Sequence, residues 1–176
     1  TRWEHYGNRC NREGHLLFEA PIPDDFVASP DNWLGETPNA STAMLMPDGV
    51  TIKQTQPLAR CDTGGYATSR YVWKPKSLYG DGIHGAHGGS SLSAIGGALR
   101  LGELVPGGKI RHALKIIIHG AQFLYYDNET KGKRWPARVA DGYAPSIYGT
   151  KGNPVKACRM GALLALWGAW QKPGWL

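Results

Sequence analysis

No stretch of the 176 residues runs to eighteen apolar side chains, so no segment reads as a membrane span. Phenylalanine, methionine and cysteine number three each, and fourteen acids face twenty Lys and Arg. The cysteines, Cys10, Cys61 and Cys158, lie far apart without a C-x-x-C, which removes zinc-ribbon and thioredoxin-type readings. G-x-S-x-G, H-E-x-x-H, a phosphate-binding P-loop and the dinucleotide fingerprint are all missing, so none of those chemistries has motif support. Helix-turn-helix, zinc-finger and RNA-recognition patterns are missing as well. The basic residues are scattered, with only a mild cluster at Lys131, Lys133, Arg134 and Arg138. A nucleic-acid domain concentrates its cations, so no nucleic-acid partner is expected. The net charge of +6 suits an acidic polysaccharide or an anionic cell envelope instead.

Glycine and proline are abundant. With 24 Gly and 12 Pro they make up about one residue in five, where roughly one in eight is usual. That excludes a helix bundle or coiled coil, and the lack of a three-residue glycine period excludes collagen. Seven Trp, eight Tyr and a 41% hydrophobic content are too apolar for a disordered chain. A turn-rich, all-β globular domain remains.

Residues 1–42 are polar and Pro-rich. They read as an irregular arm packed on the domain, because Trp3, Leu16, Leu17, Phe18, Phe26 and Trp33 need burial. Pro47-Asp48-Gly49 is a turn: Pro presets φ, Asp bonds locally and Gly takes positive φ. It joins Met44–Met46 to Val50–Gln54, on a strand where Val50, Ile52, Gln54 and Gln56 share a face. Residues 66–73 read as another strand. Pro106-Gly107-Gly108 predicts a second hairpin, residues 98–104 against 110–119, the latter alternating most cleanly of all. Residues 123–126, 134–139 and 159–166 are further strand candidates. Between these lie residues 80–97, seven of them Gly, where Ser90 or Ser91 is placed to cap a short helix through Ile95. Short strands at this spacing indicate an antiparallel β-sandwich or jelly roll with at most one short helix. The expected organisation is the arm at 1–42, a sandwich at 43–166 and a Trp/Gly/Pro tail at 167–176.

Four constellations could carry chemistry. His84 and His87, with Asp81, sit in the glycine-rich loop, whose backbone can approach a ligand or another strand closely. The two imidazoles are candidate ligands for a divalent metal, the one cofactor considered; ordinary loop histidines bonded to backbone are the other reading. Glu103 shares a predicted face with Leu99 and Leu101. A carboxylate there is protonated, and so suited to general-acid work, unless it is solvated or paired with Arg100 or Arg111. His112 lies on the apolar face of the adjoining predicted strand, where the turn brings it toward Glu103, either as an acid/base partner or as a core histidine. Asp141, with Trp135, Tyr143 and Tyr148, resembles the rim of a sugar site, since rings stack on pyranose faces and carboxylates accept hydroxyl bonds. Asp141-Gly142 also reads as ordinary turn chemistry. Gln54, Gln56 and Arg100 complete the candidate substrate-binding set.

For the cysteines, Cys61–Cys158 is the expected disulfide because both flank predicted strands; three reduced thiols are the alternative. The Thr-Arg-Trp-Glu start reads as a processed chain.

Several runs resemble a family of secreted, largely uncharacterised bacterial proteins. These are HGGSxLSxxGGxxRxGEL at 87–104, IRHALK at 110–115, RWPAxxADGY at 134–143, a YGT followed by RMGALLAL within 148–166, and MPDGxTIxQTQPLARC at 46–61. Residues 167–176 do not match it. The resemblance implies a secreted β-rich domain acting on polysaccharide and supplies no catalytic residues. The expectation is a secreted glycoside hydrolase or polysaccharide lyase, with Glu103 as acid/base, Asp141 or Asp81 as second carboxylate and His87 or His112 assisting. A non-catalytic glycan-binding or extracellular assembly module is the alternative.

Overall fold

The computed structural model describes residues 9–10, 14–28, 39–149 and 158–162. The chain divides into two compact units, Thr1–Ile95 and Gly96–Leu176. The boundary falls inside the stretch that the sequence reads as one domain.

The first unit is built on an antiparallel sheet. β1 (Thr42–Leu45) and β2 (Thr51–Ala59) form the expected hairpin, registered from Thr42↔Thr55 to Leu45↔Ile52. Its turn works as its residues dictate. Asp48 Oδ1 accepts the backbone N–H groups of Val50 and Thr51 at 2.9 and 2.7 Å, and Gly49 takes φ +68°. On the other edge of β2, β3 (Thr68–Val72) pairs with its C-terminal half and β4 (Lys76–Ser77) with its N-terminal end. Met44, Ile52, Leu58 and Ala59 are buried, and Thr55 beside them bonds to Ser69 Oγ and to Tyr71 O. β5 (His84–His87) packs against β2.

Residues 14–28 of the arm lie on this sheet. Leu17, Phe18, Ala20 and Ile22 close over Met44, Thr55 and Leu58 around a void of about 40 Å³. Buried Arg60 fastens the arm, donating to the carbonyls of Pro23, Phe26 and Gly65, while its backbone bridges Ala28. Leu16 and Phe26 stay exposed, and Trp3 and Trp33 lie outside the described residues.

The disulfide is Cys10–Cys61, with Cα atoms 5.6 Å apart, which overturns the expected Cys61–Cys158 pair. Thr68 at the start of β3 donates to the carbonyl of Arg9 and so brings Cys10 beside the end of β2. Cys158 is a partly buried free thiol in the other unit.

The second unit is mostly irregular. A cluster of Leu124, Ala144 and Tyr148, flanked by Ile118, Tyr126, Ala140, Cys158 and Met160, forms its core. Two single helical turns, α1 (Gly120–Phe123) and α2 (Ala144–Ile147), occur where at most one short helix was expected. Of the strand candidates 123–126, 134–139 and 159–166, the first and the start of the last give only isolated parallel bridges, Leu124↔Cys158 and Lys133↔Met160 among them, 134–139 is coil, and 163–166 lies outside the described residues. Residues 98–104 and 110–119 do not form a ladder either. They do run back past each other: Lys115 N–H bonds to Gly97 O at 2.9 Å, and Glu103 meets His112. Residues 90–95 are turn and bridge rather than helix, because Ser90 and Ser91 N–H groups both donate to His87 O. Among the described residues the structure is therefore strand-built, with antiparallel pairing and two short helices. A second sheet, which a sandwich or jelly roll requires, is not found among the described residues.

Candidate functional site

The glycine-rich loop answers its own composition. Gln54 is fully buried on β2 and sends its carboxamide into residues 84–94. Its Oε1 accepts from Ala94 N–H at 2.7 Å, Ala86 N–H at 3.3 Å and Ser93 Oγ at 3.4 Å, while Nε2 donates to His84 O at 3.2 Å. A Cβ on Gly85 would stand 1.9 Å from that oxygen, so only glycine fits there. Two residues on, Gln56 Oε1 accepts Gly88 N–H at 2.5 Å. The close approach is thus to another strand, and both glutamines face the protein itself rather than a cleft.

Asp81 forms a local turn, accepting Ile83 N–H, and is exposed. His84 and His87 lie three apart on β5, a spacing that puts strand side chains on opposite faces. His84 Nδ1 is buried without a partner. Among the described residues no group of three or more His, Cys, Asp or Glu is placed to hold a metal.

Glu103 and His112 do meet. His112 Nε2 lies 2.9 Å from Glu103 Oε1, both side chains being largely covered. Glu103 Oε2 accepts Arg100 N–H at 2.8 Å. That backbone bond first, and His112 after it, hold the Glu103 carboxyl below the usual carboxylate range. The expected protonated acid is therefore an ionised acceptor, because the segment is a paired turn rather than an apolar strand face. His112 Nδ1 faces Ala113 O at 3.0 Å, so both ring nitrogens are engaged.

The third grouping opens to solvent. Asp141 lines a cleft of about 330 Å³ together with Tyr126, Lys131, Lys133, Val139, Ala140, Gly142 and Pro145. Behind it Tyr148 donates to Asp141 Oδ2, and Tyr143 meets Tyr148 edge-on at 6.3 Å. Burial first, then Asp141 through its charge and hydrogen bonding, push both phenols above their ordinary value, so each stays a donor. The lysines come from a tight turn. Asp127 accepts Thr130 N–H and Oγ1, Lys131 takes φ +54°, and Gly132 at φ +71° fits against the rings of Tyr126 and Tyr148. Lys133 Nζ donates to Arg138 O at 2.6 Å. Trp135 is 77% exposed and is not part of the cleft lining. Asp141, Tyr143 and Tyr148 were expected together from the sequence, but Tyr126, Lys131 and Lys133 were not; the two lysines were visible as part of a basic cluster, their place in one cleft with Asp141 was not.

Glu103, His112 and Asp141 belong to the second unit, and Asp81, His84 and His87 to the first. No protein-family model matches the chain, no curated protein does, and no solved structure does.

Proposed function

We propose that this chain is a secreted, non-catalytic module that binds anionic polysaccharide in the cleft around Asp141. One observation carries the reading: a ring (Tyr126), a carboxylate (Asp141) and two amines (Lys131, Lys133) line a single open cleft. A ring supplies a face for a pyranose, the carboxylate accepts sugar hydroxyls, and the amines attract a uronate or sulfate. The net charge of +6 favours an acidic chain, and the Cys10–Cys61 disulfide suits an oxidising compartment. The resemblance to secreted bacterial proteins agrees with that compartment. Binding is preferred to hydrolysis because Glu103 is held ionised and both nitrogens of His112 are engaged.

The test is affinity electrophoresis through gels holding a polyuronate or neutral dextran. Retardation is expected in the acidic gel and should weaken with salt. Asp141→Asn should lower affinity about tenfold, the worth of one charged hydrogen bond. Lys131→Ala/Lys133→Ala should lower it on the acidic polymer alone. Free mobility in both gels would overturn the assignment, and release of reducing ends by wild type would move it to an enzyme.

A further inference from the structure

The segment between Gly96 and Ile117 lines neither the Leu124–Ala144–Tyr148 core nor the cleft, and its surface is unusual. Leu101 is fully exposed, Ile117 is 86% exposed, and Leu104, Val105 and Ile116 are exposed beside them in sequence. The two arms of the segment lie side by side. Gly97 carries no Cβ where one would stand 2.7 Å from Lys115 N, Glu103 bonds to His112, and the Val105–Gly108 turn closes the end. Leu101, Leu104 and Val105 therefore lie toward the closed end of one doubled-back loop, and Ile116 and Ile117 toward its open end. Apolar side chains exposed together at a loop end mark an interaction site.

We infer that this doubled loop is a docking surface for anionic lipid headgroups, its Leu and Ile side chains entering the outer edge of the acyl region. Charge supplies the first argument. From Gly96 to Gln122 the chain carries four Lys and Arg and a single acid, Glu103, which is bonded to His112 and Arg100 N–H. Arg100, Lys109 and Arg111 are exposed among the aliphatics. Cations around an apolar tip match a negatively charged bilayer surface. Side-chain type supplies the second. Leu101, Leu104, Val105, Ile116 and Ile117 are wholly apolar side chains and carry no polar group into the acyl edge. Backbone supplies the third. Residues 98–118 hold neither a helix face nor a strand ladder to extend, which leaves side-chain insertion. Insertion is shallow, because irregular backbone cannot leave the polar headgroup layer.

The experiment is co-sedimentation with vesicles of phosphatidylcholine alone and of phosphatidylcholine with one-third phosphatidylglycerol. Wild type should partition at least about tenfold more strongly to the anionic vesicles and release as salt rises. Leu101→Asp/Leu104→Asp should abolish pelleting, and Arg100→Gln/Lys109→Gln/Arg111→Gln should remove the preference for anionic lipid. Far-UV circular dichroism and melting temperature should stay unchanged, since these side chains are exposed. No partitioning of wild type to either vesicle would overturn the inference. So would equal pelleting of wild type and the Asp variant. So would a wild-type dimer, by light scattering, that Leu101→Asp dissociates without any vesicle binding.

Discussion

Gln54 shows what a single buried polar side chain can organise. One carboxamide meets four groups of the 84–94 loop, a contact closed over 30 to 40 residues of sequence. The alternation of β2 placed Gln54 on the inner face with Ile52, and the seven glycines of residues 80–97 signalled a close approach. That the two features are halves of one contact was not legible, because nothing local in either names the other. Gly85→Ala should therefore destabilise the protein by about 3 kcal/mol, from steric overlap and displaced hydrogen bonds together. Urea unfolding midpoints would measure it. Adding Gly85→Ala to Gln54→Ala should cost far less than the sum, because the clash and the lost bonds share one partner.

At the scale of elements, local turn chemistry was the readable part. Pro47-Asp48-Gly49 set the β1–β2 register through Asp48. Pro106-Gly107-Gly108 correctly turned the chain, and Glu103 and His112 met as that turn implied. The ladder between the arms did not follow. Alternation over 110–119 states which residues are apolar, but strand formation also needs a partner edge, and here the aliphatics point into solvent instead. One side chain on these arms has a titration consequence. Lys115, whose N–H joins Gly97 O, is half-buried, and desolvation brings its amine down to about 8. The unfolded lysine holds its proton to about 10.4. Between those values the unfolded state binds more protons, so stability rises with pH; below 8 the cost is fully present. Chemical unfolding at pH 7 and above pH 9 should show that rise. Lys115→Met should flatten it and raise stability at pH 7.

For the whole molecule, the informative error concerns the cysteines. Cys61 and Cys158 flank strand-like sequence, but they fall in different units, while the polar arm carries Cys10 to the end of β2. Pairing is decided by where the arm lies, and the arm is placed by apolar contacts of Leu17, Phe18 and Ile22 that have no periodicity to read. Alkylation of the unreduced protein followed by mass spectrometry should add one label, on Cys158. Cys10→Ser/Cys61→Ser should lower stability by about 4 kcal/mol, the closure entropy of a loop spanning 51 residues, read from thermal or urea unfolding. The sheet of the first unit was largely visible from sequence. The second unit was not, because its Leu124–Ala144–Tyr148 core joins residues from coil, single helical turns and isolated bridges.

Glycine-rich loops elsewhere in proteins gather exposed N–H groups around an incoming anion. Here the equivalent place is already filled by Gln54 Oε1, a neutral acceptor grafted on the neighbouring strand. The loop is the host, and β2 supplies the guest. Its order should accordingly be independent of any bound molecule, and an anion that entered it would first have to evict a side chain of the protein.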